Sequence, residues 1–330
     1  MIRSVVLIGG FFAFSGCNAT ARAITEYPPL KGSLPHRIAK GPDGNMWFTE
    51  QTGQRIGRIG MAGAVAEFAL PAGGNPIGIA AGPDGNMWFT EALGHRIGRI
   101  DAGGKIAEFS AGLGAGSAPQ EITAGPDRAL WFTEDVQLDG KYGGKIGRVT
   151  TSGTIAEFPL PGGSGTLDGI ASDSERIWFT LGFPGNAIGS MDVRTHRVSV
   201  FALPDGSSFP QGIALGPDHN MWFTMPQDHR IGRITPGGKI ATFAMPDQGD
   251  ATGSPSNIAL GPDGAMWFTE FNQSRIGRIT TAGGIAEFYD GISGGSSPDG
   301  IALGPDGSLW FTEYNGDRIG KLSRPPAITT

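Results

Sequence analysis

Trp47-Phe48-Thr49-Glu50 is the stretch of sequence that decides the fold, because closely similar stretches recur six more times along the chain. All seven tryptophans of the 330 residues are used in this way, and successive copies are 41, 43, 47, 44, 45 and 43 residues apart. The copies begin at Trp47, Trp88, Trp131, Trp178, Trp222, Trp267 and Trp310. A repeat of about 40–45 residues filled with short strands is typical of a β-propeller, in which each repeat forms one blade. The sequence therefore predicts an all-β, seven-bladed β-propeller.

Each repeat contains four short apolar segments separated by turn residues, as expected for the four strands of an antiparallel blade. In the second repeat these segments are Ile77–Ala80, Met87–Thr90, Arg96–Ile100 and Lys105–Phe109, which we label A to D from the central axis outward. A Gly-Pro-Asp turn joins A to B in six repeats. Proline fixes φ there and aspartate accepts backbone hydrogen bonds, so the segment is predicted to be a hairpin turn rather than a calcium loop.

The two ends of the chain supply complementary parts of one blade. The seventh repeat ends after its strand C, Arg318–Leu322, and no strand D follows. Residues Ile24–Leu30, at the other end, have the pattern of the strand D segment Ile155–Leu160. We therefore predict that the first strand completes the last blade and covers an otherwise open edge. The propeller then spans residues 24–322, and residues 323–330 form a C-terminal tail.

The first 23 residues have the layout of an export signal, because Arg3 precedes an apolar run over residues 5–14 and small residues follow. The run is too short to cross a bilayer as a stable helix. Two cleavage sites compete. One is a lipobox-like motif that would make Cys17 the lipidated first residue, and the other is ordinary cleavage after Ala21 or Ala23. We expect an exported protein, either a periplasmic or outer-envelope lipoprotein held to the membrane only through Cys17, or a secreted one.

The composition narrows the range of partners. The formal net charge is −6 and only 17% of the residues are charged, which provides no basic face for nucleic acid. The single cysteine excludes an internal disulfide. We expect a monomer that binds a small-molecule or peptide ligand.

Comparing the seven repeats separates scaffold positions from candidate functional ones. Glutamate ends strand B in five repeats and Arg or Lys begins strand C in six, which predicts a structural cross-strand ion pair. Met225 is an exception, since Arg230 remains without that glutamate. The residue after the strand A proline, by contrast, differs between repeats and should face the central axis together with its six counterparts. These residues are His36, Ile77, Gln120, Gln211, Ser256 and Asp299, and Asp168, which follows Leu167, takes this position in the aberrant fourth repeat.

The combination of Gly-Pro-Asp-Gly-Asn-Met-Trp-Phe-Thr-Glu, Arg-Ile-Gly-Arg-Ile and Ile-Ala-Glu-Phe resembles the repeats of the virginiamycin B lyase family. The resemblance covers residues 24–322 and includes the closing strand. It implies a seven-bladed propeller and an antibiotic-resistance activity, the magnesium-assisted β-elimination that opens streptogramin B, a cyclic depsipeptide, at its ester linkage. Such a reaction needs a base for the α-proton and a cation for the enolate-like charge.

The resemblance also suggests site residues. The family has His after the strand A proline of the sixth repeat and Glu-Pro-His in the seventh, where this chain has Ser256 and Ser297-Pro298-Asp299. A metal-binding Glu follows strand B of the seventh blade, where this chain has Glu313-Tyr314. From these matches, together with the variable column and the adjoining first blade, we predict the catalytic residues Asp299 and His36, the substrate-binding residues Ser256, Tyr314 and Gln211, and the Mg²⁺ ligands Glu313, Asp299 and Glu50.

Two classes of function stay open at this point. One is a lyase of this family with altered site residues, and the other is a non-catalytic propeller of the cell envelope that binds a ligand on the face formed by the D–A and B–C loops. A gluconolactonase-like hydrolase, the third class considered, would need several converging metal ligands beyond those found.

Overall fold

The computed structural model describes residues 24–138, 141–161, 165–204, 209–246 and 254–323, with the backbone alone for residues 137–138 and 141–142. The predicted export signal, the lipidation site Cys17 and most of the C-terminal tail lie outside these residues and stay predictions. Within the described ranges there is no helix long and apolar enough to span a membrane.

The described residues form 28 strands arranged in seven four-stranded antiparallel sheets. Their bounds are β1 (Ile24–Glu26), β2 (Pro35–Lys40), β3 (Met46–Glu50), β4 (Arg55–Ile59), β5 (Val65–Ala69), β6 (Pro76–Ala81), β7 (Met87–Glu91), β8 (Arg96–Ile100), β9 (Ile106–Phe109), β10 (Ser117–Ala124), β11 (Leu130–Leu138), β12 (Lys141–Val149), β13 (Ile155–Pro159), β14 (Leu167–Ser172), β15 (Arg176–Leu181), β16 (Ala187–Asp192), β17 (Val198–Ala202), β18 (Ile213–Leu215), β19 (Met221–Met225), β20 (Arg230–Ile234), β21 (Ile240–Ala244), β22 (Pro255–Leu260), β23 (Met266–Glu270), β24 (Arg275–Ile279), β25 (Ile285–Phe288), β26 (Pro298–Leu303), β27 (Leu309–Glu313) and β28 (Arg318–Leu322).

The sheets follow one another around an axis, because the innermost strand of each blade contacts the innermost strand of the next, and β26 of the last blade contacts β2 of the first. The predicted closure of the ring is confirmed. Strand β1 pairs antiparallel with β28, with Ile24 opposite Leu322, and so becomes the outermost strand of the seventh blade. The all-β, seven-bladed prediction is therefore confirmed for the described part of the chain.

The Trp and Phe of each repeat form the core between neighbouring blades. Trp47 is 1% exposed and packs with Ile79 and Phe89 of the following blade. The aspartate of each A–B turn fixes the tryptophan, as in the first blade, where the indole N–H of Trp47 donates to Asp43 Oδ1 at 3.0 Å. This hydrogen bond explains why the turn repeats with the tryptophan, and it gives the aspartate a structural role.

The predicted ion pair between strands B and C is formed in the first two blades, where Arg55 lies 2.8 Å from Glu50 and Arg96 lies 2.9 Å from Glu91. In the third, sixth and seventh blades the prediction is wrong about the partner, because the strand C cation instead contacts a second glutamate, on strand D. These contacts are Lys145–Glu157, Arg275–Glu287 and Arg318–Glu26.

The fifth blade keeps its strand C arginine although it lacks the strand B glutamate. There Met225 replaces the strand B glutamate, and Arg230 donates to the Thr242 hydroxyl of strand D at 3.0 Å.

Candidate functional site

The strand A prolines are followed by β-bulges that turn two successive residues out of the sheet. In six of the seven blades the pairing of strand A with strand B skips two residues, after the proline in five of them, as between Pro35 and Ile38, and after Leu167 in the fourth blade. Bulges of this kind re-aim side chains at the rims of closed sheets. They are the reason why the residues after the proline face the axis.

The repeated threonine of strand B holds these bulges in place. Thr49 Oγ1 accepts the backbone N–H of Arg37 in its own blade and donates to the carbonyl oxygen of Ile77 in the next. The same double contact recurs in all seven blades, and every one of these threonines is 0% exposed. The hydroxyls therefore link each blade to the next at the level of the axis, and this fixes the geometry of the candidate site.

A cavity of about 570 Å³ opens at this level. Five of the seven residues predicted as functional line it together, although they come from blades far apart in the sequence. They are His36, Gln211, Ser256, Asp299 and Tyr314.

Asp299 is the centre of the first group of side chains in the cavity. Its Oδ2 lies 3.3 Å from His36 Nε2, and its Oδ1 accepts the Ser256 hydroxyl at 2.8 Å. Burial would raise the pKa of Asp299, but Arg37, His36 and Ser256 together hold it below its ordinary value. The pKa of His36 is lowered to about 4, first by burial and then by the positive charge of Arg37. The Asp299 carboxylate acts in the opposite direction but does not offset them. At neutral pH the pair is a neutral imidazole beside an ionised carboxylate.

Arg37 joins this group to carboxylates from two other blades. Its Nη1 lies 2.8 Å from Asp299 Oδ1, its Nε donates to Glu121 Oε1 at 2.5 Å, and its Nη2 lies 3.9 Å from Asp168 Oδ1. Burial raises the pKa of Glu121 to about 7, with Asp168 acting in the same direction and Arg37 against it. Burial also raises the pKa of Asp168. One guanidinium thus holds three carboxylates, and their surplus negative charge lies on the axis.

One side of the cavity is aromatic. Tyr314 lies edge-on to His36 with ring centroids 6.1 Å apart, and its centroid is 5.9 Å from that of Phe271. The Tyr314 hydroxyl donates to Gln51 Oε1 at 2.6 Å, which fixes the ring between the seventh and first blades. The cavity therefore combines an apolar face with a set of polar and charged groups, the usual composition of a small-molecule site.

The structure does not bring the predicted magnesium ligands together. Glu50 and Glu313 are 0% exposed, do not line the cavity and turn toward strands C and D of their own blades. The carboxylates that do line it at the axis surround Arg37. Across the ranges that the structure describes, no three or more His, Cys, Asp or Glu side chains are placed to hold a metal ion. The donor set therefore does not fit Mg²⁺, and the magnesium cofactor stays a prediction from the resemblance.

Arg37 and Glu121 are two of the cavity residues that the sequence analysis missed. They stand two residues after the strand A proline, one column beyond the one compared, and four of the seven repeats have glycine there. At Gly300 a Cβ atom would lie 2.6 Å from the carbonyl oxygen of His36, so the neighbouring strand limits the side chain at that position. A charged residue in a column of glycines was the signal that would have identified both residues.

Comparison with known proteins settles the family. The model of the virginiamycin B lyase family matches residues 16–195, 115–289 and 249–330, which together cover the whole propeller. The chain belongs to the virginiamycin B lyase family. The resemblance identified from the repeat motifs is thereby confirmed.

Solved structures agree with this assignment to the virginiamycin B lyase family. The virginiamycin B lyase of Staphylococcus aureus is 31% identical, with a TM-score of 0.81 over 91% of this chain and 98% of that one. A streptogramin B lyase gives 31% identity and a TM-score of 0.80 over 91% and 96%. A catalytically inactive histidine-to-alanine variant of the S. aureus enzyme, solved with quinupristin, gives 33% identity and 0.79 over 91% and 98%.

Among curated sequences, the virginiamycin B lyase of Saccharopolyspora erythraea is 39% identical over 56 residues, a segment that spans only 17% of each chain.

Proposed function

We propose that this protein is a carbon–oxygen lyase of the streptogramin B lyase type, which opens an ester-linked cyclic peptide by β-elimination in the axial cavity. The observation that carries the proposal is that cavity, in which His36 and Asp299 lie beside the aromatic side formed by Tyr314 and Phe271. Family membership along the whole propeller supports it. A relative solved with quinupristin supports a ligand of that chemical class.

His36 is the group best placed to act as the base. We assign its proton to Nε2, which faces the Asp299 carboxylate, and this leaves a lone pair on Nδ1. Nδ1 is buried and the ring lies within hydrogen-bonding reach of the Ile77 backbone, so the imidazole must turn before this nitrogen can meet a substrate. In the proposed reaction the His36 imidazole takes the α-proton, the electron pair forms the carbon–carbon double bond, and the ester oxygen leaves as part of a carboxylate.

Asp299 is a positioning residue in this scheme. Its ionised carboxylate holds the imidazole in one tautomer and stabilises the imidazolium that forms, as the acid of a hydrolytic triad does. Ser256 and Arg37 hold Asp299 in turn, through contacts of 2.8 Å each. Because the cavity residues do not fit Mg²⁺, no step of this scheme is assigned to a metal.

The test is incubation of the purified protein with quinupristin, followed by mass spectrometry. We expect a linear product with the mass of the substrate, whereas a gain of one water would indicate hydrolysis.

His36→Ala should lower kcat/KM by about 10²–10⁴-fold, the usual contribution of a positioned base. Activity should also fall as the pH drops through about 4, since protonated His36 cannot accept a proton.

The matched control is His219→Asn, which changes an exposed histidine of an A–B turn while keeping a residue type that tolerates its positive φ. It should leave turnover unchanged. If the protein binds quinupristin in calorimetry but never converts it, the lyase proposal is wrong and the non-catalytic binding propeller is the correct class.

An exposed aromatic pair lies beside the cavity and should contact an apolar part of the ligand. Phe183 and Phe209 stack with ring centroids 6.2 Å apart and are 66% and 37% exposed. The carbonyl of Phe183 accepts the backbone N–H of Thr166, which lines the cavity, and Phe209 comes two residues before Gln211.

We expect Phe183→Ser to raise the Kd for quinupristin about tenfold, equivalent to about 1.4 kcal/mol, without changing the melting temperature. An unchanged Kd in calorimetry would show that the pair is not part of the ligand site. Leu93→Ser, at a residue that is 73% exposed and outside this cavity, is the control.

A further inference from the structure

The base and the carboxylate of the proposed reaction come from different blades, so their contact depends on how the seventh blade is held against the first. Asp299 is on β26 and His36 is on β2, and each is the first residue of a β-bulge. Asp299 Oδ2 lies 3.3 Å from His36 Nε2. A contact between irregular segments of two sheets needs a connection that fixes the separation of their backbones.

The hydroxyl of Thr312 supplies this connection. Its Oγ1 accepts the backbone N–H of Gly300 at 2.8 Å and donates to the backbone carbonyl of His36 at 2.7 Å. Gly300 is the residue directly after Asp299. Thr312 is 0% exposed, so water does not compete for either hydrogen bond. One buried hydroxyl therefore sets the spacing between the backbone segments that carry Asp299 and His36.

The other strand B threonines make the same pair of hydrogen bonds but join different residues. Among the seven threonines, all of them within the described ranges, Thr312 alone joins the two bulges that carry the proposed base and its carboxylate. Thr90, for example, joins the N–H of Gly78 to the carbonyl of Gln120, and neither residue has a role in the proposed reaction. The repeat thus provides a matched comparison for Thr312 inside the same molecule.

We propose that Thr312 is a positioning residue of this site, which holds the His36 imidazole against the Asp299 carboxylate through the backbones of the two blades. This role rests on the proposed function, since His36 is the base of that reaction. A base must be held close to its productive position, and a small displacement lowers the rate of the chemical step more than it weakens ligand binding. Loss of the Thr312 hydroxyl should therefore affect turnover, whereas loss of its counterpart in another blade should affect only stability.

Thr312→Val removes the hydroxyl and keeps the shape of the side chain. We expect kcat for quinupristin to fall about 10–100-fold, whereas the Kd for quinupristin in calorimetry should change by less than about twofold. Thr312→Ser keeps the hydroxyl and should restore most of kcat. The matched control is Thr90→Val, which removes an equally buried hydroxyl with two hydrogen bonds. It should lower the melting temperature as Thr312→Val does and leave kcat unchanged.

Nitrogen NMR of histidine-labelled protein gives a second readout that does not depend on turnover. At neutral pH it reports which ring nitrogen carries the proton, and His36→Ala identifies the signal of His36. In the wild-type protein the Asp299 carboxylate should hold this proton on Nε2. Thr312→Val should give a mixture of the two tautomers, because the carboxylate is no longer held against the ring. Thr90→Val should keep the wild-type spectrum.

Two glycine variants move the same backbones apart without removing a hydroxyl. A Cβ atom at Gly300 would lie 2.6 Å from the carbonyl oxygen of His36, and one at Gly78 would lie 2.8 Å from that of Gln120. Gly300→Ala should therefore lower kcat and mix the tautomers, while Gly78→Ala should do neither. This pair decides the question if Thr312→Val does not fold.

Two results would overturn the role of Thr312. One is a folded Thr312→Val protein that keeps a single His36 tautomer, and the other is an equal loss of kcat in Thr312→Val and Thr90→Val. If the wild-type protein does not convert quinupristin, the lyase proposal is wrong, and the tautomer spectra of the same variants then decide by themselves whether Thr312 positions His36 against Asp299.

Discussion

Removal of residues 24–30 should lower the stability of the propeller by about 5 kcal/mol, which corresponds to a loss on the order of 10 °C in Tm. The deletion removes β1, and β28 then has an unpaired edge. It also removes Tyr27, which stacks on Trp310 with ring centroids 5.4 Å apart, and Leu30, which is 8% exposed. Burial of one large apolar side chain contributes about 1.5–3 kcal/mol, so several such contacts give the expected loss.

The measurement compares two truncated proteins, one starting at residue 24 and one at residue 31, in thermal scans at the same rate. Within the longer protein, Tyr27→Phe keeps the ring on Trp310 and should melt within a few degrees of the parent. Tyr27→Ala should reproduce a large part of the deletion. Equal melting temperatures for the two truncated proteins would mean that the seventh blade is stable with three strands and that β1 does not close the ring.

The fold could be predicted from the sequence because each blade repeats the same physical pattern. A tryptophan that fills the gap between blades, an aspartate that accepts its indole N–H and a tight turn between them recur with little variation. Repetition also revealed the closing strand, because residues 24–30 repeat the pattern of Ile155–Leu160, and in the structure Tyr27 stacks on Trp310 as Phe68 stacks on Trp47. Seven copies of one pattern therefore predict seven similar blades.

The site was only partly predictable, because the comparison of repeats identifies columns but not the direction of each side chain. His36 and Asp299 were identified because the residue at their position differs from repeat to repeat. In the structure the β-bulges turn the residues at this position toward the axis. Glu313 was placed in the site by resemblance, yet its side chain is buried beside Glu26 and Arg318. Its position at the end of strand B gave no indication of that direction. Arg37 was missed although it stands next to His36, because only the first residue of each bulge was compared between repeats, and the structure shows that both bulge residues line the cavity.

Five blades place a buried strand B carboxylate and a less buried strand D carboxylate around one cation, and this surplus of acid should make the protein less stable as the pH rises. Burial raises the pKa of Glu134, Glu270 and Glu313 to about 8 and that of Glu50 and Glu91 to about 7. In every case a second glutamate, on strand D, raises the pKa further. The five strand B glutamates are 0% exposed, so solvent does not screen them.

The direction of the effect follows from the number of bound protons. Between about pH 5 and 8 these carboxyls keep their protons in the folded state and lose them in the unfolded state, where the pKa is near its ordinary value. Stability must therefore fall as the pH rises through this window. The turn aspartates act in the opposite way, since hydrogen bonds and ion pairs lower the pKa of residues such as Asp263, against the effect of burial. Their contribution is lost in acid, and the melting temperature should be highest near pH 5.

Glu270→Gln is the sharpest test of this explanation, because glutamine imitates the protonated carboxyl. Both carboxylate oxygens of Glu270 are buried and have no hydrogen-bond partner among the described residues, while Arg275 contacts Glu287 at 2.8 Å instead. We expect Glu270→Gln to melt close to the wild-type protein at pH 5 and to be more stable by about 1–3 kcal/mol at pH 8, since each pKa unit corresponds to about 1.4 kcal/mol. Glu287→Gln, which removes the carboxylate that contacts Arg275, should be destabilised at both pH values. A melting temperature that is flat from pH 5 to 8, or a Glu270→Gln protein that is less stable at pH 8, would show that the strand B glutamates are ionised and fully compensated by their neighbours.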